Sequence, residues 1–285
     1  MRVHAIFPQT EIGNDPQDIA RYARAVEDLR YDGIVAYDHV LGAHPDRGGG
    51  WTGPYTHETS FHEPFVLFGF LAALTERVQL STGILILPQR QTALVAKQAA
   101  ALDVLSGGRL RLGVGIGWNT VEYEALGMEF GNRARRLEEQ MALLRRLWTE
   151  EVVTFDGKWD HVDRAGLRPL PVQRPIPLWI GADFEKAIRR AARLADGWFA
   201  QIRPDAAGRG DVERFREWVL EAGRDPATVG IEGRIPARTG PAKWAEDIAA
   251  FTELGFTDIE FNTMGAKFRS VEEHIDALGR FRELL

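Results

Sequence analysis

The chain has 285 residues, carries a net charge of −6 and is 45% apolar. That suffices for a full hydrophobic core, and acids and bases interleave rather than cluster, which argues against nucleic acid as a partner. Cysteine is absent, which excludes disulfides, thiolate metal sites and cysteine nucleophiles.

Short apolar strands alternate with amphipathic helices along the whole chain. "VHAIF" opens as a strand. The following "DPQDIARYARAVEDL" is helical, with Asp15 as N-cap, Pro16 at the first helical position and Ile19, Ala23, Val26 and Leu29 on one stripe. "GIVAY" is the second strand. After a long loop, "EPFVLFGFLAALT" reads as a helix with Pro64 in its first turn. "VQLSTGILIL" is the third strand, and "QTALVAKQAAALDVLSGG" a helix closed by Gly107-Gly108. "LRLGVGIG" is the fourth strand. "RRLEEQMALLRRLW" aligns Leu137, Met141, Leu144 and Trp148 on one helical stripe. "VVTFDGKWDHV" has the pattern of a hairpin turning at Asp156-Gly157. Four more strand–helix pairs follow, beginning at "PLWIG", "GWFAQI", "VGIEGRI" and "DIEFN".

Continuously apolar strands are those of a parallel sheet buried on both faces. Eight strand–helix units in this length predict a closed (β/α)8 TIM barrel, which typically takes about 250 residues. It should form a single domain over residues 1–285, with a long loop after the second strand and a small hairpin inserted before the fifth. A doubly wound open sheet is the competing architecture. Its G-x-G-x-x-G fingerprint fails here, because Gly113, Gly115 and Gly117 are followed by Trp118. No run of about 18 apolar residues is present, so no membrane span is expected. The first ten residues do not read as a signal peptide, and a cytoplasmic location is the expectation.

Barrel enzymes place their active sites in the loops after the strands. The second strand ends in Tyr37-Asp38-His39, and the loop behind it, roughly residues 41–61, far exceeds the usual connection of about 2–6 residues. That loop is a candidate lid. On the barrel rule alone, Asp38 and His39 read equally well as site residues or as a loop cap and a packed histidine. The fifth strand ends in Gly181-Ala182-Asp183 just before a helix, where exposed amides could bind an anion, although a plain tight turn explains the same residues. Asp38, His39, His57 and His62 are close in sequence, but only one strand end supplies such residues, so no metal site is expected. No nucleophile elbow or Walker loop appears, and Glu122 and Glu124 are too close together at one strand end to be a glycosidase pair.

Four stretches carry a family resemblance: "PQ" after the first strand, "YDHV" after the second, the block from Thr75 to Gly127 including "STGILILPQRQ" and "GVGIGWNTVEYEALG", and "PVQRPIPLWIGADFEKA". They resemble the bacterial-luciferase-like superfamily, and within it the coenzyme F420-dependent oxidoreductases. The resemblance implies a TIM barrel holding a deazaflavin at its C-terminal face, with FMN as the alternative cofactor. It implies an enzyme that moves a hydride between F420 and a small organic substrate. An FMN-dependent monooxygenase and a non-catalytic flavin- or deazaflavin-binding protein are the alternatives.

Residue by residue, the resemblance implies that Asp38 and His39 approach the ring and that His39 handles a proton or stabilises charge. Imidazole as a group suits both roles near neutral pH. It implies a strand-three bulge with a non-proline cis peptide at Gly83-Ile84, after Thr82, backing the ring. Gly117, Trp118 and Asn119 would lie beside the cofactor, and Gly181, Ala182 and Asp183 at its phosphate. Two departures stand out. Trp118 occupies a position where some F420 enzymes carry an acidic glutamate. Asp183 would repel a phosphate, so it is expected to cap the next helix and turn away, leaving backbone amides to make the contact. Relatives pair through the helices after the second and third strands, which are apolar here around much of their surface, so a homodimer is expected.

Overall fold

The computed structural model describes residues 1–285. The first β/α unit is β1 (Arg2–Ile6) and α1 (Pro16–Asp28), and the Asp15 side chain accepts from the Gln17 amide as its cap. The second is β2 (Gly33–Ala36) and α2 (Pro64–Leu74), the latter capped by Glu63 on the Val66 amide. The predicted third strand is divided into β3 (Gln79–Thr82) and β4 (Leu85–Ile86), with a 3-10 turn at Leu87–Gln89 before α3 (Thr92–Leu105). The Gly83–Ile84 bond at the break is cis. After β5 (Leu110–Gly115) come a short helix absent from the sequence reading, α4 (Thr120–Ala125), and α5 (Arg133–Thr149).

The hairpin consists of β6 (Val153–Asp156) and β7 (His161–Ala165). Its turn is gathered by the Glu139 carboxylate on α5, which accepts from the amides of Lys158, Trp159 and Asp160 at 2.8 Å each. The remaining units are β8 (Leu178–Ala182) with α6 (Glu185–Leu194), β9 (Gly197–Ala200) with α7 (Ala206–Glu221), β10 (Gly230–Pro236) with α8 (Pro241–Glu253), and β11 (Asp258–Asn262) with α9 (Val271–Arg282).

Every pairing in the main sheet is parallel, and β1 joins both β2, through Ala5 opposite Ile34, and β11, through Val3 opposite Ile259. The circuit closes where β5 pairs with both β3 and β4 on one side and with β8 on the other. Counting β3 and β4 as one broken strand, this is a closed eight-stranded parallel barrel ringed by helices, the TIM fold. No helix is long and apolar enough to cross a membrane.

The barrel interior is charged near its N-terminal end. Arg111 lies on Glu232 at 2.7 Å and Asp258 at 3.3 Å, and His4 Nε2 reaches Asp258 at 2.8 Å. Trp179 and Phe199 cover the Arg111 guanidinium at 4.5 and 5.0 Å. His4, Glu232 and Asp258 are near enough to one another to hold a metal ion. Arg111 already supplies the positive charge to both carboxylates, which argues for an ion-pair plug rather than a metal centre.

Candidate active site

The side chains at the end of β2 have two different fates. Asp38 is buried, its Oδ2 accepting from the Ile86 amide at 2.9 Å and its Oδ1 from Arg90 at 2.8 Å. The other arm of Arg90 reaches Glu63 at 2.8 Å, beside the cap of α2. Burial pushes the Asp38 carboxyl above its ordinary value, against the opposing pull of Arg90 and the Ile86 amide. Asp38 thus ties the end of β2 to the broken strand, and both its oxygens are engaged.

His39 is different. Its ring packs among Phe61 at 4.8 Å, Tyr55 at 4.9 Å and Trp118 at 5.6 Å between centroids. Its Nδ1 meets Glu122 Oε1 at 3.1 Å, while Nε2 has no protein partner. The same Oε1 accepts from the amides of Val40 at 2.9 Å and Leu41 at 3.3 Å, and Oε2 accepts from Gln89 at 3.2 Å. Burial alone would raise the Glu122 carboxyl. Its bonds to His39, Gln89 and Leu41 outweigh that and hold it below the ordinary glutamate value.

The long loop after β2 closes over this histidine. Tyr55 and Phe61 come from it, and its Trp51 packs at a tilt against Trp118, 5.7 Å between ring centres, while donating to the Tyr55 carbonyl at 2.8 Å. Asn119 caps α4 and also donates to the Leu41 carbonyl at 3.2 Å, which fixes the start of the loop. Tyr123, on the same short helix, is fully buried with its hydroxyl donating to the Ile116 carbonyl.

A cavity of about 280 Å³ opens at the C-terminal end of the barrel, walled by Asp38, His39, Gly83, Ile84, Gly117, Trp118, Asn119 and Asp183 among the residues singled out above. A second cavity of about 380 Å³ adjoins it, sharing Ile84, Gly117, Trp118, Asp183 and Gln201. Gly181 and Ala182 line only this second lobe, together with Arg133 and Arg190. Thr82 lines neither, since its hydroxyl donates to the Gly113 carbonyl at 2.6 Å inside the barrel wall. The expected capping role of Asp183 is overturned. Phe184 stands at the N-cap of α6 without a side-chain bond, and Asp183, one residue too early to cap, lines both lobes.

Three residues of the site escaped the sequence reading. Glu122 sits three positions after the Asn119 cap, a spacing that resembles an ordinary capping box and so hides its reach to His39. Arg90 lies in the quoted "PQRQ" stretch but carried no signal of its partner, 52 residues away in sequence. Arg234 on β10 lines the first cavity, bonded through Nε to Glu260 on β11 and lying 5.4 Å from the centre of the Tyr37 ring. The sequence offers nothing to mark it. Asp38, His39, His57 and His62 do not converge on a common point for a metal.

Residues 2–282 match the model of the family described as luciferase-like monooxygenase. An uncharacterized protein of Mycobacterium tuberculosis is 35% identical over 202 residues, which is 70% of this chain and 68% of that protein. The F420-dependent glucose-6-phosphate dehydrogenase of Intrasporangium calvum is 31% identical over 238 residues, 74% of this chain and 67% of that enzyme. Among solved structures, an F420-dependent secondary alcohol dehydrogenase in complex with an F420-acetone adduct superposes with a TM-score of 0.79. It covers 100% of this chain and 98% of its own, at 18% identity, a likeness of fold.

Proposed function

The chain belongs to the luciferase-like monooxygenase family, and from that premise we propose that it is an F420-dependent oxidoreductase acting on a small organic substrate at the C-terminal face of the barrel. The observation that carries this reading is the placing of His39. Its ring is held by Glu122 under an aromatic cover, Nε2 has no protein partner, and the residue lines a cavity that continues into an arginine-lined lobe. The relatives named as F420-dependent enzymes support the choice of cofactor.

The residues fit such a group. The wall at Gly83-Ile84, Tyr37 and Trp118 suits a flat ring system, and Ile84 lies between the two lobes. The second lobe offers the start of α6 together with Arg133 and Arg190, donors suited to an anionic tail, while the Asp183 carboxylate on the same wall opposes an anion placed beside it. When bound, the deazaflavin supplies two-electron hydride chemistry.

This chain's own residues would do the rest. His39 Nε2 takes or returns the proton on the substrate oxygen, since it is the ring nitrogen without a protein partner on a residue that lines the cavity. Asp38, with both oxygens engaged, keeps the broken strand in place rather than transferring protons. Tyr55, Phe61 and Trp118 exclude water from the imidazole.

The family description names a monooxygenase and so favours one second reading, in which the chain is a monooxygenase and FMN takes the place of F420. Parallel titrations with F420 and FMN, followed by visible absorption and fluorescence, separate the two. Tighter binding of F420 is expected. Equal or tighter binding of FMN would overturn the proposal in favour of the monooxygenase.

A further inference from the structure

We infer that Glu122 is a positioning residue that fixes the neutral His39 ring as its Nδ1–H tautomer, so that Nε2 meets the cavity as a proton acceptor. The inference deepens the reading of His39 as the proton-handling group and rests on it for its catalytic meaning. The tautomer itself rests only on the geometry.

The argument starts from what a carboxylate can do. Ionised Glu122 has acceptor sites only. Its Oε1 already gathers the backbone N–H groups of Val40 and Leu41, two donors that cannot change role. The third group at this oxygen is His39 Nδ1 at 3.1 Å. An unprotonated Nδ1 would set a lone pair against the negative oxygen, so the proton belongs on Nδ1. In the neutral ring, Nε2 is then the bare nitrogen.

The carboxylate is also unable to leave. Glu122 is 1% exposed. Gln89 holds its second oxygen at 3.2 Å, and Asn119 ties the start of its helix to the Leu41 carbonyl. On the other sides of the imidazole stand the rings of Tyr55, Phe61 and Trp118. One buried group therefore anchors the beginning of the long loop and the orientation of the ring together, which links loop placement to proton transfer.

The test is ring-nitrogen NMR on the protein without cofactor, under conditions where His39 is neutral, its signals assigned by their loss in His39→Asn. The native ring is expected to carry its proton on Nδ1. Glu122→Gln should keep that tautomer, because the Val40 and Leu41 amides demand an oxygen at the same place. Glu122→Ala should release the ring to a mixture of tautomers. With F420 and a turned-over substrate, Glu122→Ala should lower kcat by about 10²-fold with F420 affinity little changed, and Glu122→Gln should recover part of the rate. A native ring protonated on Nε2, or an Ala variant that keeps the native tautomer, would overturn the inference. If the Ala variant does not fold, the native and Gln spectra decide it: loss of the Nδ1–H form in Glu122→Gln counts against it. If native protein shows the Nδ1–H ring but neither binds nor turns over F420, the cofactor reading fails and the positioning role stands.

Discussion

Asp38 and His39 are adjacent in the chain, yet the structure gives them opposite environments. Both Asp38 oxygens are engaged, whereas His39, on the cavity wall, keeps one ring nitrogen without a protein partner. His39→Ala is therefore expected to lower kcat by about 10²–10⁴-fold, with F420 affinity within a few-fold of native. A variant that keeps the full rate would reduce His39 to a packing residue. The Asp38–Arg90 pair is largely enclosed, with side-chain exposures of 1% and 15%. Removing one partner of a buried pair leaves an uncompensated charge and costs about 3–5 kcal/mol. Arg90→Leu should thus destabilise the protein by about 3 kcal/mol in urea unfolding, and adding Asp38→Asn should recover part of that. A loss well under about 1 kcal/mol would show that the clamp contributes no more than a surface pair.

At the scale of the element, the alternating glycines of β5 acquire a purpose that the sequence left open. A Cβ on Gly113 would lie 2.0 Å from the Thr82 carbonyl oxygen, and one on Gly115 would lie 1.8 Å from Ile84 Cδ1. The pattern lets the fourth barrel strand approach the broken third strand, and no dinucleotide is needed to explain it. The two clashes differ in kind, since Ile84 can swing aside and a backbone oxygen cannot. Gly113→Ala should cost at least about 1–3 kcal/mol, the usual range for overpacking, and Gly115→Ala clearly less, as read from thermal melting of the two variants side by side. Equal melting temperatures would refute the close-approach account. The helices α2 and α3 make a second element-scale statement. Val66 is 74% exposed and Leu105 75%, and Phe70 and Leu94 are also uncovered. Such side chains favour a covered interface, so the chain should run as a homodimer in light scattering, and Val66→Glu with Leu94→Glu should give a monomer. A monomeric native protein at micromolar concentration would contradict this.

For the molecule as a whole, the charged plug in the barrel makes stability depend on pH. His4 is pushed down to about 4, first by burial and then by Arg111, against the pull of Asp258. The unfolded chain takes up that proton near 6.5, while the folded ring stays neutral until about 4. Stability from His4 is therefore whole above pH 6.5 and is lost as pH falls toward 4. The loss is on the order of 3 kcal/mol. Glu232, raised by burial, works in the opposite direction. The contribution of His4 is consequently read as a difference. In urea unfolding, His4→Gln should flatten the dependence between these two values by up to about 1.4 kcal/mol per pH unit. Parallel curves for native and variant would show that the ring is not held neutral.

The sequence by itself determined the barrel, because strand and helix periods, caps and turn glycines are local, and eight such units admit few closures. Family-specific stretches located Asp38 and His39, the broken strand at Gly83-Ile84 and the turn at Gly181. Local signals could not say what these residues touch. Glu122 meets His39 across 83 positions and Arg90 meets Asp38 across 52, distances in the chain that only the closing of the barrel removes. The same holds for Asp183, which local capping rules assigned to α6 and which tertiary placement left on the cavity wall. It holds also for Thr82, whose hydroxyl is taken by a carbonyl on the neighbouring strand. Elements follow from short-range periodicity and sterics. The partner of a buried polar group is chosen by whichever distant group the fold brings within hydrogen-bond reach, and desolvation then enforces that choice.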